Sequence, residues 1–518
     1  MKQTNDNLDI QIDALTQSLV GVGQPWEIRL VVKNFGSETA SNVKLILSVD
    51  GTPTSAKSLD VPSRAESQVT FGMIFPEAGS HRVEATLERN DSLMADNNAT
   101  WSVLVMGTIP VLVVDSTLYD RKRTPESEFL QAALDPFADN PENHASLFRV
   151  SKITPDELKP DKLTGYKIIA LANVAKLNDS VVEPLMQHIH AGGILLIFSG
   201  NRIDLEWYNE NLATMFTKST SEITSETKER FLPMVFDREP TILNREATGM
   251  KLRRENFQHP AVQFLNDTRT GMLDNIEIQG WYRLLPNGDT DQDSVARLVS
   301  LVNGDLLIAE RAVGEGTVIQ CATTCNDSWT NWPLRPVYLP MLHQLLLKST
   351  PPSRWPMNVA TNQQLNFPTL QVLHWIADTS SESSVARIRN PGTDESKIAA
   401  SDDDSKSPVW HFPNAVESMA TSIVASYPGI YRIDNLAESP LYLSAQAPLE
   451  ESDLEAESEE GLKSLAERLG AQVIRSPDEL ISLDRRGSKE LWRWFLIVLL
   501  VLLFGELFLQ RRFSGAAV

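Results

Sequence analysis

Ile109-Pro110-Val111-Leu112-Val113-Val114-Asp115 is apolar without interruption until its last residue. Successive side chains of an extended chain point to opposite faces, so a run without alternation suits a strand covered on both sides, as in the middle of a parallel sheet. Two more runs of this kind follow, Lys167-Ile168-Ile169-Ala170-Leu171-Ala172 and Gly193-Ile194-Leu195-Leu196-Ile197-Phe198. Between them the apolar spacing turns helical. Glu126 to Leu134 reads as the helix after the first strand. Val181 to Ala191 reads as the helix before the third, with Val182, Leu185, Met186 and Ile189 on one face. Ser180 and Glu183 supply a capping box for it and Gly192 its stop. Strand, helix, strand, helix, strand predicts a doubly wound α/β layer.

N-terminal to that layer the chain reads as all-β. Trp26 to Val32 and Val43 to Val49 alternate with the period of two that a half-buried strand requires. Asn34-Phe35-Gly36, Asp50-Gly51 and Ala78-Gly79 are turn sequences between such runs. An Ig-like β-sandwich over residues 8–106 follows from the spacing. The central α/β domain covers 107–351: a glycine hairpin at Gly314-Glu315-Gly316, the strand Gly316 to Cys321, a packed corner from Asp327 to Pro336 and a closing helix from Pro340 to Leu347. Arg335, between prolines, reads as a carbonyl cap or the partner of a nearby acid.

Residues 356–448 return to β structure as a second, smaller sandwich, with strands at Val409 to Phe412, Ser422 to Ala425 and Tyr427 to Ile433. Thr379 to Ser407, rich in Ser, Asp and Lys, reads as a mobile loop. Residues 449–490 read as an acidic linker opened by Glu450-Glu451-Ser452-Asp453, with helical segments at Gly461 to Leu469 and Pro477 to Leu483.

Residues 491–510 read as a transmembrane helix. From Trp494 to Leu509 the one charged residue is Glu506, near enough to the end of the span for its carboxylate to reach the headgroups. Leu491 and a snorkelling Arg493 extend this stretch toward the ~20 residues that cross ~30 Å of hydrocarbon. Trp492 and Trp494 suit one interface and Arg511-Arg512 the other. Met1 to Asp6 leads into a polar stretch that lacks the apolar core of a secretory signal. Arg485, Arg486, Lys489 and Arg493 outnumber Arg511 and Arg512, which by the positive-inside rule favours a cytoplasmic soluble part.

A chain of 518 residues exceeds what one core serves, so the whole is multidomain, α/β plus all-β. Its net charge of -21, with no basic stripe in the soluble part, excludes nucleic acid as an expected partner. Cys321 and Cys325, the only two cysteines, cannot build a disulfide framework or a zinc site unaided and read as packed thiols.

Several of these stretches resemble known families. Asn34-Phe35-Gly36, Val49-Asp50-Gly51, Gly79-Ser80-His81-Arg82-Val83 and Asp96-Asn97 fall in the order seen in CARDB modules, bacterial cell-adhesion-related Ig-like domains. Such modules present surfaces or space domains apart. The central layer resembles the class I glutamine amidotransferase-like fold, whose active members carry a Cys nucleophile on the turn after a strand, with a His to activate it. Here that turn is Phe198-Ser199-Gly200-Asn201. Ser199 or Cys321 is the alternative nucleophile for an amidohydrolase or transferase, but a Gly-x-Ser-x-Gly elbow is absent. A ligand-sensing module is a further alternative.

Taken in order, the sandwich, the amidotransferase-like layer with Trp329-Thr330-Asn331-Trp332-Pro333-Leu334-Arg335-Pro336, the Pro428-Gly429-Ile430-Tyr431-Arg432 hairpin, the acidic linker and the anchor at Glu490-Leu491-Trp492-Arg493-Trp494 resemble BatA-type, aerotolerance-related membrane proteins. Those also carry N-terminal membrane helices and a von Willebrand factor A domain, whose metal site would read Asp-x-Ser-x-Ser. Asp115-Ser116-Thr117-Leu118-Tyr119 departs from that pattern, so no metal, cofactor or catalytic residue is expected. The resemblance implies a non-catalytic scaffold in a bacterial cell-envelope or stress system, in company with von Willebrand factor A proteins and a MoxR-type AAA ATPase. It also implies a single pass of the inner membrane with a periplasmic soluble part, against the charge rule.

Overall fold

Val111, Leu112, Val113 and Val114 are completely buried in the computed structural model, because both faces of their strand are covered by the apolar core. The structure describes residues 6–13, 16–119, 124–138, 146–218, 226–244, 247–266, 273–287, 295–366, 385–389, 409–411, 422–434, 439–454, 459–471 and 491–514, together with Val372, Trp375, Pro391, Val473 and Ile474. The chain divides into two units, Met1–Asp453 and Leu454–Val518. The architecture is a sheet-rich mixture of α and β structure, and the second unit holds a long apolar helix.

A seven-stranded sheet occupies the middle of the first unit, in the order Phe148–Ile153, Ile109–Asp115, Ile168–Ala172, Ile194–Phe198, Gly316–Cys321, Leu306–Val313, Val295–Ser300. The first five strands are parallel, Leu306–Val313 runs antiparallel to them, and Val295–Ser300 runs antiparallel to Leu306–Val313. Val111 stands opposite Val150 on one side and Ile168 on the other, and the core covers both faces of this strand, which is why it lacks polar alternation.

Helix Glu126–Leu134 has the expected bounds, with Leu130 and Leu134 in the core. Helix Asp179–His190 starts two residues earlier than its sequence reading. Asn178 is its N-cap residue, and Ser180 and Glu183 do not form the expected capping box; Glu183 instead accepts from Gln187 Nε2 at 2.9 Å. With that start, Val181, Leu185 and Ile189 form the buried stripe, and Val182 packs at its margin. The closing helix, Tyr338–Lys348, also begins early, because Pro340 is tolerated in a first turn whose N–H groups lack intrahelical partners.

Two further sheets precede this layer. One runs Leu8–Ile12, Pro25–Asn34, Glu66–Ile74; the other runs Leu19–Gly21, Asn98–Met106, Gly79–Leu87, Ala40–Val49, Thr52–Val61. Ile10, Ile28, Leu30 and Val32 of the first meet Leu45, Leu47, Val83, Ala85 and Val103 of the second in one apolar cluster. Val49 pairs with Thr52 across Asp50 (φ 50°) and Gly51 (φ 82°), a two-residue turn in the left-handed region that Asp-Gly favours.

The last sheet runs Asn358–Ala360, Leu441–Gln446, Gly429–Asp434, Val385–Arg389, Val409–His411, and Gln364–Asn366 pairs separately with Ser422–Val424. Val385–Arg389 lies within the stretch expected to be a loop, yet it is a strand paired on both sides. Its own Val-Ala-Arg-Ile-Arg pattern prevails over the polar composition around it. Apart from Pro391, the rest of Thr379 to Ser407 lies outside the described residues.

The last sheet folds back onto the first module. Ser102 Oγ donates to the Tyr442 carbonyl, Ser444 Oγ donates to the Thr100 carbonyl at 2.8 Å, and Tyr442 N–H donates to Ser80 Oγ at 2.9 Å. Leu449–Ser452, expected to open a linker, is instead a short 3-10 turn against the first strand. Ser452 is 2% exposed there and donates to Asp9 Oδ1 at 3.0 Å.

In the second unit a helix spans Glu459–Leu469, two residues longer at its start than expected. The stretch Pro477 to Leu483 lies outside the described residues. Helix Leu491–Ser514 contains a 20-residue apolar stretch, Trp492–Arg511, long enough at ~30 Å to cross a bilayer. It is longer than the Trp494 to Leu509 core read from the sequence, and its apolar side chains are exposed.

Candidate functional site

In open α/β sheets ligands and reacting groups gather beyond the carboxyl ends of the parallel strands. Four segments meet there: Asp115 to Thr117, Asn173, Ser199 to Arg202 and Cys321 to Cys325. Asp115 is fully buried and works as a local clamp. Its Oδ1 accepts from Thr117 N–H and Thr117 Oγ1, both at 2.6 Å, and its Oδ2 accepts from Ser127 N–H at 2.8 Å, which satisfies an orphan donor at the start of helix Glu126–Leu134. The oxygens that a metal-adhesion site would use are therefore held by the chain's own donors.

Glu126, the first residue of that helix, is 3% exposed. Its Oε1 accepts from Asn173 Nδ2 at 2.7 Å, and its Oε2 faces Cys325 Sγ at 3.6 Å. Burial, with the charge of Asp115 added, raises its pKa to about 7, although the Asn173 donor works in the opposite direction. Asn173 follows strand Ile168–Ala172 in the left-handed region at φ 50°, and from there it also donates to Asn201 Oδ1 at 3.0 Å and accepts from Arg202 N–H at 3.0 Å. Arg202 Nη1 donates to the Ser116 carbonyl at 3.0 Å and closes the ring of contacts.

Burial, then the negative charge of Glu126 and Asp115, pushes the Cys325 thiol well above its ordinary range. Burial does the same to Cys321. A buried thiol with a raised pKa is a packing group and a poor nucleophile. Ser199 is fully buried at the end of strand Ile194–Phe198. Its N–H and its hydroxyl both donate to the Cys321 carbonyl, at 3.1 and 2.8 Å.

Three of the described histidines are engaged elsewhere: His343 Nε2 lies 3.0 Å from the Ala133 carbonyl, His81 Nδ1 2.7 Å from Asp50 and His259 3.8 Å from Glu310. Arg335 is half-buried and helps hold the pKa of Glu277 down, behind the 2.9 Å Lys251–Glu277 ion pair. The arrangement can retain a proton on Glu126 and share it with a thiol and an amide. It presents no activated nucleophile among the described residues.

Glu126 and Asn173 escaped the sequence reading. The available signals were an acid opening a helix and an Asn directly after an apolar strand, and each has an ordinary local explanation.

No family model matches the chain. No curated protein matches it either. Among solved structures it is similar to a CARDB domain from Pyrococcus furiosus, at 24% identity over 19% of this chain and 94% of that one, with a TM-score of 0.18. A cytoplasmic protein from Salmonella typhimurium LT2 aligns at 14% identity over 47% of this chain and 99% of that one, with a TM-score of 0.32. A β-glucosidase from Listeria innocua aligns at 14% identity over 19% of this chain and 16% of that one, with a TM-score of 0.16.

Proposed function

We propose that this chain is a non-catalytic scaffold, anchored in a bacterial inner membrane by helix Leu491–Ser514, that holds protein partners on its β modules and its central layer. In this reading the first two sheets form a CARDB-like Ig sandwich and the last sheet a second small one. The seven-stranded sheet is a flavodoxin or amidotransferase-like layer whose parallel strands take the order second, first, third, fourth, fifth along the chain. The whole corresponds to a BatA-type protein with its soluble part in the periplasm. The partners this resemblance implies are von Willebrand factor A proteins and a MoxR-type AAA ATPase.

The observation that carries the reading is Ser199. It stands on the turn where an active amidotransferase would present its nucleophile, and its hydroxyl is spent on the Cys321 carbonyl at 2.8 Å with no solvent exposure. Affinity purification from detergent at native expression is expected to retain a von Willebrand factor A protein or an AAA ATPase. Recovery of no stable partner counts against the scaffold. Glutamine hydrolysis by the purified chain, lost in Ser199→Ala or Cys321→Ala, would replace it with the amidohydrolase reading.

A further inference from the structure

Asp9 and Asp96 border a cavity of about 120 Å³, closed on one side by Asn98 and Thr100 of the first module and on the other by Gly429 and Ala445 of the last sheet. The two acids are 5% and 7% exposed. Leu8 and Ile10 enter the core of the first module, so Asp9 points to the opposite face of its strand, where water would ordinarily receive a carboxylate. That face is roofed by the turn Leu449–Ser452.

Ile10 N–H donates to the Asp96 carbonyl at 3.1 Å, which sets the two acids side by side. Ser452 Oγ donates to Asp9 Oδ1 at 3.0 Å and Asn7 Nδ2 donates to Asp96 Oδ2 at 2.7 Å. Among the described residues Asp9 Oδ2 and Asp96 Oδ1 have no donor within hydrogen-bond distance. Burial raises both pKa values, that of Asp9 to about 6, and the charge of Asp96 adds to the effect on Asp9. Lys33 offsets only part of this, and its ammonium sits 4.8 Å from the Phe35 ring centroid.

Two buried carboxylates with free oxygens beside a cavity require protons or a cation. The space equals about four waters at ~30 Å³ each, enough for one partly hydrated ion and too little for an organic base with side chains of its own. We propose that a divalent cation of the calcium class binds between Asp9 Oδ2 and Asp96 Oδ1. Backbone carbonyls and waters complete its oxygen shell. Calcium accepts irregular shells of oxygen, whereas magnesium demands a near-ideal octahedron and zinc prefers the nitrogen or sulfur that this site lacks. Because the lining comes from both ends of the first unit, the ion ties the first module to the last sheet. With only two carboxylates its affinity falls in the range of extracellular calcium modules, on the order of 0.1–1 mM.

The test uses the full chain in detergent, stripped with a chelator, and titrates calcium chloride alone to about 10 mM with magnesium chloride in parallel, an excess over that affinity. Calorimetry is expected to give one site, and the melting temperature to rise with calcium until it saturates. Asp9→Asn and Asp96→Asn are expected to stay folded, since Ser452 and Asn7 can still donate to the amide oxygen, and to lose the calcium response. Glu450→Gln, outside the cavity lining, keeps it. Absence of binding heat with the wild-type chain overturns the proposal without any variant. So does an unchanged response in either Asn variant.

Discussion

Ser102 and Asn358, 256 residues apart, exchange a reciprocal pair of hydrogen bonds: Asn358 Oδ1 accepts from Ser102 N–H at 2.7 Å, and Asn358 Nδ2 donates to the Ser102 carbonyl at 2.9 Å. A carboxamide carries the same donor and acceptor as a peptide group, so Asn358 stands in for a neighbouring strand. Strand Leu19–Gly21 covers only Leu104 to Met106 of this edge, and the last sheet covers the part that remains.

Asn358→Ala therefore strips both partners from the backbone of Ser102, a fully buried residue. Leaving such groups unpaired costs about 1–3 kcal/mol each. Urea unfolding of the full chain in detergent is expected to shift to a lower midpoint, and an unchanged midpoint would mean that water replaces the amide.

Glu126 makes stability depend on pH. The unfolded carboxyl gives up its proton near 4.5 and the folded one near about 7, so the folded state binds the extra proton between those values. Stability is full below 4.5 and declines as pH rises through about 7. Glu126→Gln is expected to remove this decline and to be the more stable form at pH ~8, by at most a few kcal/mol. Asp9 contributes its own decline between 3.8 and about 6, which remains in the variant.

Gly200 touches the same network. A Cβ built there would lie 2.3 Å from Asn173 Cγ, so Gly200→Ala pushes aside the amide that binds Glu126. A loss of about 1–3 kcal/mol is expected, typical of overpacking, read from the melting temperature. A variant as stable as wild type would mean that Asn173 has an alternative rotamer of equal energy.

Cys321 and Cys325 are buried and their thiols are pushed up. The folded chain is expected to resist a thiol reagent at pH ~8, where an exposed cysteine with pKa ~8.5 reacts readily, and to react at both positions in denaturant. Labelling of the folded protein, followed by mass spectrometry, would point to an opening between Tyr338 and the sheet.

Removal of residues 491–518 deletes the apolar stretch Trp492–Arg511. The shortened chain is expected in the supernatant after alkaline washing of membranes, and the full chain in the pellet. A full chain in the supernatant would mean that the helix is covered by protein.

The strands of the central sheet and of the first module were readable because burial leaves a local periodic trace. Val111 to Val114 lack alternation for the same reason they lack exposure, and Asp50-Gly51 names its own turn. Val385–Arg389 is hard to see in the sequence because the polar composition around it outweighs five residues of strand pattern. Helix ends moved by two residues at Asp179 and Tyr338, where capping and a proline each allow more than one start. The candidate sites were hidden for a different reason. Glu126 meets Asn173 and Cys325, and Asp9 meets Asp96 and Ser452, across tens to hundreds of residues, and no local pattern records such a meeting.

The fold-back of strand Leu441–Gln446 onto Asn98–Met106 also sets a timetable for synthesis. A ribosome adds roughly 5–20 residues per second, so Ser102 waits on the order of 10–50 s before Asn358 exists to cover it. During that interval the nascent first module carries an open strand edge, and a chaperone or a second nascent chain can occupy it before the proper partner arrives.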